Sequence, residues 1–450
     1  MRDCQRRVRL MWPLGAAVLA AVLGAPAEAA VKPRLVVVLP FDTTTLPADD
    51  RWMGEGIAQV VGLAFAQHPA FNQVDPSRLP ALGQPAAWSA TAVLQAARGI
   101  RADAAIFGEI IRANAELVVR PRLLEIKGAG GESMALEPLA VPDGEFLVRV
   151  ARLPVAYAHT MKVALTEAEA VRMDKAARPT RSLKAFELYA QAQSTARGGD
   201  QESNERAADL LARAVEADAS FVVAHYTLGT VHQALGNRWK AAAQFRASTQ
   251  LDPAYPEPYK ALGDLVLAAP RRLFDQAIEA YSKAIELRPF LADAHVGLGD
   301  AKAAKGDTDG AIAAYQKALG LNPVNPRVHM SLGKIYYSEK ALYYEAVTAY
   351  KKAIDFDPGS VEARMGLGEV YEDKGLYKEA IEEYRRVVEL DAKHTGAIYN
   401  LAIVYERVDP REAVAQWERY IAIASQLPSE KDWVDVARQH LRKLKNQIKD

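Results

Sequence analysis

Residues 292–323 read ADAHVGLGDAKAAKGDTDGAIAAYQKALGLNP. Leu298-Gly299 is followed by alanine at Ala311, an aromatic at Tyr315 and a proline at Pro323. The same series recurs on both sides. Leu228-Gly229, Leu262-Gly263, Leu332-Gly333 and Leu367-Gly368 repeat its first element, and Leu401-Ala402 stands in for a sixth. Ala241, Ala277, Ala346, Ala380 and Ala413 repeat the alanine; Phe245, Tyr281, Tyr350, Tyr384 and Trp417 follow each by four residues. Pro253, Pro289 and Pro358 repeat the proline, with Ala392 in its place one unit later. From Gly229 to Gly368 the glycine-to-glycine steps are 34, 36, 34 and 35 residues. Small residues at fixed offsets let two helices approach closely, the aromatic fills the gap between layers, and proline breaks the chain before the next unit. The extra residues fall near Ala268–Phe274 and Lys340–Tyr344, between the helices of a pair.

These residues resemble the tetratricopeptide repeat, a helix-turn-helix unit of about 34 residues whose neighbours stack to bury a shared apolar face. A degenerate first repeat fits Ala192, Ala207, Leu211 and Ala214 with a longer turn at Ala196–Ser203, giving seven pairs over residues 182–424. Residues 429–450 predict one more amphipathic helix, with Trp433, Val436, Leu441 and Leu444 as its apolar side. It is expected to cap the exposed end of the stack.

The first half reads differently. Leu35–Leu39 is a valine-rich run that predicts a buried strand, and Arg51–Gln67 carries Ile57, Val60, Val61, Ala64 and Phe65 on one helical face. Phe71–Val74 predicts a short strand, Ala90–Arg98 a helix, and Ala104–Ile111 with Glu116–Ile126 a hairpin turning at Arg112–Ala115. Ser133–Val141 adds a strand, and a helix from Phe146 to Leu165 closes the unit. The order predicts a small α/β sheet over residues 31–170, joined by a linker at 171–181 to the helical array; the chain as a whole is α+β. Val36-Val37-Val38-Leu39-Pro40-Phe41, Gly54-Glu55-Gly56-Ile57 and Asp103-Ala104-Ala105-Ile106-Phe107-Gly108-Glu109 resemble the TolB-like N-terminal domain. Arg178-Pro179-Thr180 and Ala185-Phe186-Glu187-Leu188-Tyr189 resemble the junction between such domains and tetratricopeptide arrays. The resemblance implies an envelope protein. Gly54-x-Gly56 lacks the third glycine of a dinucleotide fingerprint, since Gln59 stands there.

Arg2, Arg6, Arg7 and Arg9 precede an apolar run at Met11–Gly24 and a small-x-small site at Ala27-Glu28-Ala29, the arrangement of a secretory signal peptide over residues 1–29. The run of 14 residues is short of the ~20 that span a bilayer. A cleaved leader, with a periplasmic or secreted mature chain and no membrane span, is the first reading. An inner-membrane anchor by an uncleaved segment is the second. Cys4 is the only cysteine and lies within the leader, so the mature chain is compatible with an oxidising compartment. The whole chain carries 56 basic and 56 acidic residues, which disfavours a nucleic-acid partner.

The first helices of stacked pairs form a concave wall. Its inward residues are Tyr226, Lys260 and Asp264, Asp300, Met330, Lys334 and Tyr337, Met365 and Glu369, and Tyr399 and Asn400, with Glu372 and Glu406 beside them. Acids outnumber bases, and methionines adapt to varied partners. The wall therefore predicts an extended protein segment with apolar and basic side chains. His225, His295 and His329 occupy one repeated packing position and are expected to pack rather than bind metal. Glu382-Glu383 and Asp49-Asp50 are sequence neighbours, which do not face each other on a helix. No motif assembles nucleophile, base and oxyanion donor. The expectation is a non-enzymatic scaffold without metal or cofactor, with a place in an envelope complex. A small-ligand or glycan sensor and, more distantly, a divergent enzyme are the rival readings.

Overall fold

Strand β1 (Arg34–Val38) is covered on both faces, as its unbroken apolar run requires. The computed structural model describes residues 33–74, 88–113, 116–128, 130–142 and 144–448. The leader and the hairpin tip at residues 114–115 lie outside the described residues. After β1 come α1 (Trp52–Phe65), β2 (Phe71–Gln73), α2 (Ala90–Gly99), β3 (Ala104–Ala113), β4 (Glu116–Lys127), β5 (Gly130–Ala135) and β6 (Leu139–Val141). The sheet runs β2-β1-β3-β4-β5, parallel across its first three strands and antiparallel beyond β3, with β6 also paired to β4. The single strand expected at Ser133–Val141 is thus two short ones sharing one edge of β4. Val36, Val38 and Ile106 pack on the α1 side, and Leu35, Val37 and Phe107 on the α2 side.

The helix expected over Phe146–Leu165 is split into α3 (Phe146–Val150) and α4 (Leu153–Thr160). Pro154 explains the break: it has no N–H, and its ring would strike the carbonyl of Val150. Helix α5 (Glu167–Ala176) starts with a reciprocal Thr166–Glu169 capping box.

Seven helix pairs follow: α6 (Leu183–Ala196) with α7 (Gln201–Ala217), α8 (Val222–Ala234) with α9 (Arg238–Leu251), α10 (Glu257–Leu267) with α11 (Phe274–Leu287), α12 (Ala292–Lys305) with α13 (Thr308–Leu321), α14 (Pro326–Ser338) with α15 (Tyr343–Phe356), α16 (Val361–Asp373) with α17 (Tyr377–Leu390), and α18 (Thr395–Val408) with α19 (Pro410–Ala424). Helix α20 (Lys431–Gln447) closes the stack. Pairs end as the prolines demand. Asp252, Arg288, Asn322 and Asp357, each just before a proline, are extended, with φ between −135° and −143°. The two longer turns contain Arg272 and Ala341 in the left-handed region, at φ 45° and 51°.

Inside the stack, the aromatic of five repeats lies against the glycine of its own first helix. A Cβ at Gly299 would stand 2.6 Å from the ring of Tyr315, and one at Gly263 2.9 Å from the ring of Tyr281. Tyr281 and Tyr350 also meet the next helix at Gly297 and Gly366. The sheet core continues without interruption through Phe186, Tyr189 and Phe221 into the first repeats. The two close glycines of α1 allow this. Gly54 lies against the Phe41 carbonyl, and Gly56 leaves room for the ring of Phe186 in α6.

On α20 the buried residues are Val434, Ala437 and Leu444, with Leu441 partly covered. Trp433, expected on that face, points elsewhere and is 54% exposed.

Overpacking tests this register. Gly299→Trp should cost about 1–3 kcal/mol, and Ala311→Arg, which buries a charge at a fully covered site, more than about 4 kcal/mol. Denaturant melts that leave both variants at the parent's midpoint would contradict the packing described.

Candidate functional site

A buried tyrosine or tryptophan needs a partner for its polar tip, and the inner wall supplies one in repeat after repeat. Tyr281 donates its hydroxyl to Asp264 at 2.7 Å, Tyr315 to Asp300 at 2.6 Å and Tyr384 to Glu372 at 3.0 Å; the indole N–H of Trp417 donates to Glu406 at 2.8 Å. Burial, then the adjacent acid, pushes the Tyr281 and Tyr384 hydroxyls well above the ordinary tyrosine range; for Tyr315 burial leads and the bond to Asp300 follows. The rings that hold the layers apart thereby fix a row of carboxylates on the concave face.

The expected wall residues fall into three groups. Lys260 is held by Asp264 at 2.8 Å, and Arg327 pairs with Asp300, so these cations sit on acids of the wall. Asp264, Asp300 and Asp293 border an open cavity of about 440 Å³ with Lys260 and Arg327. Further along, Lys334 is exposed, Met330 and Met365 are partly buried against the core, and Tyr337 donates to Asp373 at 2.6 Å. Glu369 is exposed at its edge, and partial burial of its carboxyl, then Glu372 and Asp373, raise it. At the far end Tyr399 packs edge-on to Trp417, and Asn400 reaches the Tyr384 hydroxyl. Tyr226 stands apart from the others. It lines a cavity of about 260 Å³ together with Ala58, Gln59 and Gly62 of α1.

Two family descriptions match this part of the chain: "TPR repeat" at residues 274–306 and 299–339, and "Tetratricopeptide repeat" at 340–395. These are tetratricopeptide repeats. Among solved structures, MamA is similar at 30% identity over 37% of this chain and 95% of its own, with a TM-score of 0.34. YrrB, described as a TPR protein with an unusual peptide-binding site, is similar at 25% identity over 41% and 93%, with a TM-score of 0.37. PilW, described as a type IV pilus biogenesis factor, shares 17% identity over 46% and 92%, with a TM-score of 0.42. No curated protein sequence matches the chain.

The histidines of the tetratricopeptide units have a shared structural task. His225, His295 and His329 each contact the carbonyl six residues earlier, at Ala219, Pro289 and Pro323, at 3.2, 2.8 and 3.3 Å. They tie the start of each first helix to the preceding turn. Burial holds the His295 and His329 imidazoles below their usual range. Among the described residues no group of three or more His, Cys, Asp or Glu is placed to hold a metal ion.

Sequence reading missed the seam between the sheet domain and the tetratricopeptide stack. Glu55 of α1, 4% exposed, pairs with Arg197 at 2.5 Å and accepts from Gln59 at 2.8 Å; Tyr189 donates to Gln59 at 3.1 Å. Burial outweighs Arg197 and raises the Glu55 carboxyl. Farther along the array, Asn72 donates to the Leu321 carbonyl at 3.1 Å and Arg101 to that of Asp355 at 2.8 Å, with the Arg101 guanidinium 4.5 Å over Phe356. These take up last-turn carbonyls that a helix leaves without intrahelical partners. The only sequence signal was polar residues inside otherwise apolar stretches.

The crowded acids give a pH signature. A carboxyl raised in the folded state binds more protons folded than unfolded, so its contribution makes stability fall as pH rises above the ordinary 4.5. Glu369→Gln should raise the melting temperature at pH 7 and flatten that fall. An unchanged pH profile would show that burial and the neighbouring acids do not raise the Glu369 carboxyl.

Proposed function

We propose that the chain is a non-enzymatic scaffold that holds an extended basic and apolar protein segment along its concave wall. Tetratricopeptide repeats are protein-interaction elements, and this coarser role follows from the family. The observation that supports the finer reading is the row of carboxylates at Asp264, Asp300, Glu372 and Glu406, each oriented by a buried ring of its own repeat. Preoriented acceptors cost little ordering on binding. Met330 and Met365 offer adaptable apolar contact between them. Lys334 is an exposed cation of α14, and it sets where an acidic side chain of the partner is tolerated.

In this reading the protein works outside the cytoplasm, in the periplasm or as a secreted chain, within an envelope complex. The TolB-like sheet domain docks a second envelope component through surface not used against the array. The basic start, apolar run and Ala27-Glu28-Ala29 support this address. Among the described residues no helix is long and apolar enough to cross a membrane. A second reading, a small-ligand carrier, draws on the seam cavity of about 260 Å³ with Gln59, Gln193 and Arg197 in its lining, since ligand sites favour domain junctions.

Peptide binding separates these readings. An immobilised panel of lysine- and arginine-bearing apolar nonapeptides should bind the mature chain, and an acidic panel should not. Glu369→Lys should weaken the basic peptides roughly tenfold at low salt and less at high salt, because exposed charges are screened. Preference for acidic peptides, or indifference to Glu369→Lys, would overturn the reading. The address has its own test: N-terminal sequencing of protein from the native envelope should begin near Ala30, whereas an intact Met1 start in the membrane fraction would favour the uncleaved anchor.

A further inference from the structure

At the C-terminal end of the concave wall, α18, α19 and the start of α20 leave an open cavity of about 340 Å³ lined by Gly396, Tyr399, Asn400, Tyr420, Glu430 and Trp433. Two of its rings meet at a steep angle: Tyr399 and Trp433 have centroids 5.7 Å apart and planes at 78°. Tyr420 is buried behind them, 5.4 Å from Tyr399. Trp433 is the large aromatic that α20 leaves in water while burying Val434, Ala437 and Leu444. Covering the end of the stack therefore does not account for it.

The carboxylate of Glu430 is fixed beside these rings. The Tyr420 hydroxyl donates to one oxygen at 2.8 Å and the Thr395 hydroxyl to the other at 3.2 Å. Each carboxylate oxygen has a second lone pair. The pair can therefore still accept two parallel N–H groups. Faces of tryptophan and tyrosine attract cations. A fixed carboxylate next to an exposed indole suits a planar guanidinium, which stacks and forks at once, better than an ammonium, which is a strongly hydrated point charge. An acidic side chain would meet Glu430 and the negative ring faces. The corner is also continuous with the rest of the wall, since a Cβ at Gly396 would lie 3.9 Å from the methyl of Met365.

We propose that Tyr399, Trp433 and Glu430 form a binding site for one arginine side chain of the bound protein segment. The identity of the occupant rests on the groove reading above; the site itself does not.

The probes are N-acetyl-L-arginine methylamide and its lysine and citrulline counterparts, titrated into the full mature chain by calorimetry. The citrulline compound keeps the shape of the arginine one and lacks its charge. The arginine amide should bind saturably at one site, and the citrulline amide at least about tenfold more weakly. Trp433→Ala should weaken the arginine amide roughly fivefold. Glu430→Gln should weaken it at least as much, and circular dichroism should show both variants folded. Equal binding of arginine and citrulline amides, a preference for the lysine amide, or parental affinity in folded Trp433→Ala would overturn the site. If the arginine amide binds as described while basic peptides are not captured, the site stands and the groove reading fails. If peptides are captured with no arginine-amide binding, the groove stands and this site falls.

Discussion

A ring lodged against a glycine, in five of the repeats, carries the architecture. Tyr281 lies between Gly263 and Gly297, and Tyr350 between Gly333 and Gly366. Such contacts leave no room for a larger residue at the small positions, and they set the spacing between layers. The same ring brings a polar tip into a dry interior, where an unpaired hydroxyl or indole N–H is costly. At Tyr281, Tyr315, Tyr384 and Trp417 the tip reaches through to the concave side and finds an acid on the first helix of its own repeat. Packing and surface chemistry are therefore one device here. The demand for a partner inside decides where the carboxylates stand outside.

That device also explains the uneven charge of the wall in a chain whose formal charges balance. Lys260 and Arg327 lie on acids already engaged by tyrosines, so they temper the wall more than they reverse it. Glu369, Glu372 and Asp373 lie within one helix; burial first, and neighbouring acids after it, raise the Glu369 and Glu372 carboxyls.

Much of this was legible in the sequence because it is local and repeated. The Gly299, Ala311 and Tyr315 offsets fixed the helix pairs, and the degenerate pair around Ala192, Ala207, Leu211 and Ala214 is buried as its spacing implied. What stayed hidden depends on contacts distant in sequence or on small rotations. The split at Pro154 follows from the proline alone. The engagement of Asp264 by Tyr281 joins two positions read separately, one as packing and one as groove. The Glu55–Arg197 pair and the reach of Arg101 to Asp355 join residues far apart along the chain. On α20 an amphipathic pattern fitted two adjacent faces, and only the docked helix shows that Val434 and Ala437 turn inward and Trp433 outward.

The proposed function places a basic protein segment on the concave wall, and not on the convex side or the sheet. Hydrogen-exchange mass spectrometry of the protein with and without a saturating arginine- and lysine-bearing peptide measures this directly. New protection should appear along α10, α12, α14, α16 and α18. Protection confined to the second helices of the pairs, or to the β-strands of the first domain, would contradict it.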